Sequence, residues 1–305
     1  MKNRVISGLI YAVIVAGCFL LKAFVNDLFF DLFVYAAAII GTFEITRAFG
    51  DSITKVQRVM VFVFAVAVIP VCALAEYLFG YGLHVACVCF FGLSISLLSL
   101  LVFRHDETTL ENIGSALFSA VYPALLLCLL VLANHIGEAP VVEGFDKVIG
   151  KNSDVFNSNL AIMLIFVVSP VADIFAFLVG KSLKKVFPQK LAPTLSPNKT
   201  VVGFVGSLIG GLIGAGLTYF IYNLILQTGY ELIWMWLPIY LAIGLLAALA
   251  TAFGDLVESC IKRKKGLKDM GNIMPGHGGI LDRIDGTIFA TVAVYISFAV
   301  IHLFL

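Results

Sequence analysis

An all-α, polytopic integral membrane protein of about nine transmembrane helices, with a cytoplasmic N-terminus, is the fold class this sequence predicts. Three observations predict it. The first is composition: 61% of the 305 residues are hydrophobic and 13% are charged, and the mean hydropathy is +1.04. Soluble domains are roughly half apolar and a quarter charged. A single soluble core cannot hide this much apolar side chain, because a core grows with volume and still needs a polar cover. The second observation is the length of the apolar runs, and the third is the one-sided distribution of Lys and Arg between them.

A helix of about 20 apolar residues crosses the hydrocarbon layer. Nine runs fit that length: 5–21, 28–46, 59–79, 84–103, 110–132, 160–180, 201–226, 234–253 and 287–304. Helices are required because backbone groups in lipid must be satisfied within the segment, and nothing alternates with the period of a membrane barrel. The first run follows MKNR like a signal peptide, but no small-residue cleavage site leads into a soluble domain, so an uncleaved span is expected. The second carries Glu44, which reads as a local ion pair with Arg47 one turn on. A short Gly-rich turn from Gly80 to Gly82 separates the third and fourth, and Glu76 before it lies close enough to the outer surface to be solvated. After the fifth comes the longest outer loop, 133–159, with Glu138, Glu143, Asp146 and Asp154, expected as an exposed connection. Asp173 falls inside the sixth, where a carboxylate is costly and lines a polar cavity. The seventh reads GFVGSLIGGLIGAG, and Gly206, Gly210 and Gly214 recur every four residues, which lets helix backbones approach closely. That stripe predicts packing within one subunit, with a homodimer contact as the alternative. The eighth and ninth runs flank a long polar segment.

With the N-terminus in the cytoplasm, all but three of the twenty Lys and Arg residues fall on the inner side. The exceptions are Lys22, Lys147 and Lys151. A missed or invented span scrambles this segregation, so it supports both orientation and count. The chain divides into N-terminal transmembrane helices (1–132), an extracytoplasmic loop (133–159) and a C-terminal catalytic transmembrane region (160–305). The net charge of +1 provides no overall basic field for nucleic acid. The six cysteines lie mostly within apolar runs without metal-like spacing, and read as small buried hydrophobes.

Chemistry is expected in the two inner loops richest in charge, 181–200 and 254–286. From Gly254 the sequence reads GDLVESCIKRKKGLKDMGNIMPGHGGILDRIDGT. Asp255, Glu258 or Ser259, and Lys262 recur at helical spacing, and Asp282 and Asp285 are three apart, so each set can share a face. Paired carboxylates beside a basic cluster suit Mg²⁺ or another divalent cation, which takes one or two carboxylates plus substrate phosphates. Phosphoryl or nucleotidyl transfer uses such metals to neutralise developing charge and Lys or Arg to hold phosphates. The glycines at 276, 278 and 279 would let backbone N–H groups approach a phosphate. Blander readings stand beside these. Asp282 or Asp285 could cap the last helix, and Lys262 to Lys268 could be a topology signal or an anionic-lipid contact. His277 could be a turn residue. In the other loop, Gly180-Lys181 and the segment SPNKT from Ser196 to Thr200 could present an ammonium and a hydroxyl to a phosphate, with Asn198 as a helix cap instead.

The segment Ser259 to Asp285 resembles the signature of the phosphatidate cytidylyltransferase (CDP-diacylglycerol synthase) family. The likeness rests on Ser259, Lys262, Arg263, Lys268, Asp269, Gly271, Pro275, His277, Gly278, Gly279, Asp282, Arg283 and Asp285, with Met274 a mild departure. Upstream, Asp173, Gly180-Lys181 and Ser196-Pro197 with Lys199-Thr200 are similar to the family's second block. The resemblance covers roughly the C-terminal half. It implies transfer of CMP from CTP to phosphatidic acid, a membrane lipid, in phospholipid biosynthesis, giving CDP-diacylglycerol and pyrophosphate with Mg²⁺ bridging phosphate oxygens. Carried over, Asp255, Asp282 and Asp285 would ligate metal, and Lys262, Arg263, Lys268 and Arg283 would hold phosphates. His277, Gly278 and Gly279 would shape the nucleotide pocket, and Asp269 belongs to the same catalytic run. Asp173, Lys181, Ser196, Lys199 and Thr200 would bind substrate. The second block usually continues SPKKTWEG, whereas Asn198, Val201 and Val202 stand here in place of Lys, Trp and Glu.

Two other functions compete. A CTP-dependent lipid kinase acting on a polyprenol-type alcohol would share the architecture but need a base for a hydroxyl. A transporter would use Asp173 and Glu44 as midplane sites, yet the paired hydropathy repeats it predicts are not visible between the halves.

Overall fold

The computed structural model describes residues 2–138, 141–142, 156–226, 233–274 and 278–304. Among these, eight helices are long and apolar enough to cross a membrane. Ahead of them lies helix α1 (Lys2–Phe24), whose stretch Val13–Phe24 is apolar but shorter. The all-α membrane class expected from composition is therefore the observed one. The chain forms two compact units, Met1–Asn152 with Lys265–Arg283, and Ser153–Lys264 with Ile284–Leu305.

The first unit contains α1, α2 (Leu28–Phe49), α3 (Lys55–Phe79), α4 (Gly82–Phe103), α5 (Leu110–Ser119) and α6 (Leu126–Asn134). Thr54 and Thr109 start α3 and α5 with reciprocal side-chain caps, to Gln57 and Asn112 respectively. Helix α3 stops at Gly80, whose φ of 71° is the left-handed conformation that favours glycine. The expected fifth span is present as Leu110–Asn134, but it is kinked. Pro123 lacks an amide hydrogen and Tyr122 leaves helical geometry (φ −108°, ψ 106°), so a π-type turn over Ala120–Leu125 joins α5 to α6. Gly41 of α2 admits the result, since a Cβ there would lie 2.8 Å from Pro123 Cγ.

Two expectations for this unit are corrected. Glu76 is buried rather than solvated, and its Oε2 accepts the Gly82 N–H at 3.0 Å across the α3–α4 turn. The beginning of the expected exposed loop is also buried: residues 133–136 close the end of α6. There His135 Nε2 stands 2.7 Å from Asp31 Oδ2 and Nδ1 stands 3.0 Å from Glu138 Oε2, while Asn134 Nδ2 donates to Asp31 Oδ1 at 2.9 Å. Burial pushes the His135 pKa down, but the hydrogen bonds and charges of Asp31 and Glu138 outweigh it and push it up to about 10. Glu143, Asp146, Lys147, Lys151 and Asp154 lie outside the described residues.

In the second unit, α7 (Ser158–Leu183), α8 (Val201–Leu226) and α9 (Ile233–Lys264) pack beside most of α10 (Leu281–Phe304), with a two-stranded hairpin, β1 (Lys190–Ala192) and β2 (Ser196–Thr200), between α7 and α8. The glycine stripe of α8 packs within the subunit. A Cβ at Gly206 would lie 2.8 Å from Phe175 O, and one at Gly210 would lie 2.8 Å from Val171 O, both on α7. The opposite face uses Gly211 against Gly244 of α9 in the same way. Backbone contact this close needs residues without side chains. Phe156, Tyr219, Tyr240 and Phe298 fill one end of this unit with edge-to-face and tilted ring contacts.

Candidate active site

In the second unit the small residues that bring helices together also bring acids together. A Cβ at Gly254 of α9 would lie 2.6 Å from the Asp285 carbonyl oxygen, and one at Gly286 would lie 2.7 Å from Thr251 Cγ2 and 3.4 Å from Ser169 Oγ of α7. The residues next to these contact points are Asp255 and Asp285, with Asp173 one turn beyond Ser169. Asp173 feels the charges of Asp285 and Asp255, and Lys199 offsets them. Lys199 forms an ion pair with Asp255. Glu258, almost fully buried, hydrogen-bonds Asp285 and accepts from Lys262 Nζ at 2.8 Å.

A cavity of about 540 Å³ opens over this cluster, lined by Asp173, Lys181, Lys184, Lys199, Thr200 and Asp255 among others. Four structural elements thus supply its polar groups: α7, the β2 end of the hairpin, α8 through Ser207, and α9. Ser196 begins β2, and Arg263 Nε reaches back to the Leu195 carbonyl at 3.4 Å. Thr200 Oγ1 accepts the Gly203 N–H at 3.1 Å, so Thr200 rather than Asn198 caps α8. Val201 and Val202 form the first turn of that helix, and no acidic residue occupies it. The family's missing carboxylate is therefore not replaced within the turn.

The signature segment continues in the first unit. Asp282 Oδ2 accepts two backbone N–H groups, from Met270 and Gly279, each at 2.8 Å. Gly278 has φ +90°, and a Cβ there would lie 2.6 Å from Asp282 Oδ2 and 3.2 Å from Asp269 Cβ. Lys268, Asp269 and Arg283 are exposed. Lys265, part of the same basic cluster, is held at 2.7 Å by Ser52 Oγ and lies over the Phe49 ring. His277, with Pro275 and Gly276, lies outside the described residues.

Glu44 is the residue that sequence reasoning misplaced. Its two carboxylate oxygens accept the N–H groups of Ile280 and Leu281, each at 3.0 Å, at the start of α10. No ion pair joins it to Arg47 among the described residues. A helix N-terminus offers orphan donors and a partial positive charge, which outcompete a solvated guanidinium for a buried carboxylate. The signal was present as a carboxylate inside an apolar span.

Among the described residues, no group of three or more His, Cys, Asp or Glu side chains is gathered tightly enough to enclose a metal alone. The acids of the second unit instead form an open, all-oxygen set of the kind a hard divalent cation shares with phosphates. Apolar spans and an acid-and-lysine cavity of this kind define a membrane-embedded enzyme of phosphate chemistry. Comparison with known proteins names the class. The cytidylyltransferase family model matches residues 2–301, and the chain belongs to that family of nucleotidyltransferases. It is 29% identical over 302 residues to a phosphatidate cytidylyltransferase of Bacillus subtilis, covering 98% of both chains. It is 30% identical to the chloroplastic phosphatidate cytidylyltransferase 5 of Arabidopsis thaliana, across 99% of this chain and 72% of that protein. A 130-residue stretch, 42% of this chain and 45% of the other, is 42% identical to a Staphylococcus aureus phosphatidate cytidylyltransferase.

Proposed function

We infer that this protein transfers CMP from CTP to phosphatidic acid, releasing pyrophosphate and leaving CDP-diacylglycerol in the membrane. The observation that carries this reading is the second-unit cavity, where Asp173, Lys181, Lys199, Thr200 and Asp255 converge at the end of apolar helices. A phosphate-bearing lipid can enter such a site from the bilayer while a nucleotide enters from water. An oxygen of the lipid phosphate attacks the α-phosphorus of CTP, the bond to the bridging oxygen breaks, and pyrophosphate departs with that electron pair. The phosphomonoester is largely dianionic at neutral pH, so the attacking oxygen carries no proton and no general base is required.

The open acid set fits Mg²⁺, which Asp255 and Asp285 would hold together with substrate phosphates. A bound divalent cation would neutralise charge developing on the phosphate oxygens. Lys199 balances Asp255 when substrate is absent and turns to a phosphate when substrate arrives; Lys181 supplies a second ammonium to the same cavity. Lys262 and Glu258 hold Asp285 in place. Arg263, exposed at the end of α9, receives the pyrophosphate end of the nucleotide. Asp282 shapes the signature turn through its two backbone bonds. We place this chemistry on the cytoplasmic side of the cell inner membrane or its equivalent, on the strength of the Lys and Arg segregation.

The test uses detergent-purified protein, phosphatidate, Mg²⁺ and CTP labelled at the α- or γ-phosphate. Label from the α-position is expected in lipid, with pyrophosphate released in step. Entry of γ-label instead would identify a lipid kinase and refute the reading.

A further inference from the structure

We propose that Glu44, on the second helix, is a positioning residue for the turn of the signature segment, and that Gly271 and Gly279 of that turn exist to admit its carboxylate. This rests on the cytidylyltransferase reading and adds a residue outside the signature to it. Glu44 is 2% exposed, and both of its oxygens are engaged at the first turn of α10. A Cβ at Gly271 would lie 2.1 Å from Glu44 Oε1, and one at Gly279 would lie 2.3 Å from Oε1 and 2.4 Å from Oε2. Neither glycine has a left-handed φ, so the backbone conformation does not demand glycine at either position. Space for the Glu44 carboxylate does.

The same geometry changes what the turn can offer a substrate. A glycine-rich loop ahead of a helix commonly presents its N–H groups to a phosphate. Here the N–H groups of Met270 and Gly279 go to Asp282, and those of Ile280 and Leu281 go to Glu44. Carboxylates of the chain itself occupy the donors that a phosphate would use. The turn is thus a mould set by two internal anions. Glu44 acts through Gly279 to Leu281 and touches no reacting atom.

Glu44→Gln separates the two requirements of this role, because glutamine has the same shape but one acceptor, and its amide donor opposes the second N–H. In detergent-purified protein, kcat/KM for CTP is expected to fall on the order of 10- to 100-fold, while KM for phosphatidate stays within about twofold. Glu44→Asp, charged but one methylene short, is expected to lie between. A variant that melts earlier yet keeps wild-type kinetics for CTP overturns the proposal, as does an equal loss toward both substrates. Should the variants not fold, amide exchange of the wild type decides: Ile280 and Leu281 are expected to be strongly protected, and rapid exchange there overturns it. Failure of the wild type itself to use CTP would count against the enzyme assignment and not against Glu44 alone.

Discussion

Gly279→Ala offers the sharpest test of how the signature turn is held. The added methyl would sit 2.3 Å from Glu44 Oε1, where ordinary van der Waals contact begins at 3.4 Å. The carboxylate must therefore retreat by roughly 1 Å, which stretches its 3.0 Å bonds to Ile280 and Leu281 beyond hydrogen-bonding range. Hydrogen bonds to a charged group contribute about 1.5–3 kcal/mol each, so losing both costs about 3–6 kcal/mol. Whole domains are stable by only about 5–15 kcal/mol. The turn should come apart locally, with CTP turnover reduced at least about 100-fold and a lower melting temperature in detergent. Gly92→Ala, in open space on α4, is the control and should be neutral or slightly stabilising. A double-mutant cycle isolates the cause. Once Glu44→Ala has removed the carboxylate, Gly279→Ala should add almost nothing. Equal costs of the glycine substitution in both backgrounds would refute the steric account.

Asp285→Asn should abolish pyrophosphate release while leaving expression and the elution profile unchanged, measured by coupled pyrophosphate detection; retained activity removes Asp285 from the metal set. Lys199→Met should raise KM for substrate at least about tenfold with little change in melting temperature, since its ion pair with Asp255 is partly exposed and worth little to stability. Chelation with EDTA should stop turnover, and added Mg²⁺ should restore it. The His135 corner gives a pH dependence whose sign follows from its raised pKa. The stability it contributes is fully present below about 6.5, the unfolded value, and is lost as pH rises through about 10. His135→Gln should flatten the melting-temperature profile between those limits.

Much of the molecule was legible because its signals are local. Span lengths, the polar run and the Gly206–Gly214 stripe each follow from neighbours in sequence, and the helices formed where the apolar runs lie. Asp173, Lys199 and Asp255 were identified one at a time as misfits in their surroundings, and the cavity joins them. What stayed hidden depends on pairings between distant residues. Helical spacing allowed Asp282 to cap or to ligate, but could not reveal that Met270 and Gly279 donate to it. Glu44 stood out as an intramembrane acid, yet backbone N–H groups leave no mark in a sequence, so the adjacent Arg47 was the only visible partner. Gly279 suggested room for a substrate phosphate when the occupant was a side chain of the chain itself.

The anchoring of Ile280 and Leu281 by a residue 236 and 237 positions earlier has a consequence for biogenesis. Ribosomes add about 5–20 residues per second, so Glu44 is inserted roughly 10–50 seconds before its partners are made. During that interval a carboxylate destined for burial must remain hydrated or protonated at the margin of the bilayer. The second unit's helices α7 to α9 are all synthesised meanwhile. The first unit, which includes Lys265–Arg283, closes only after them. Completion of the signature turn is thereby among the last steps of assembly, and a truncated chain that inserts its first spans normally cannot yet form the turn.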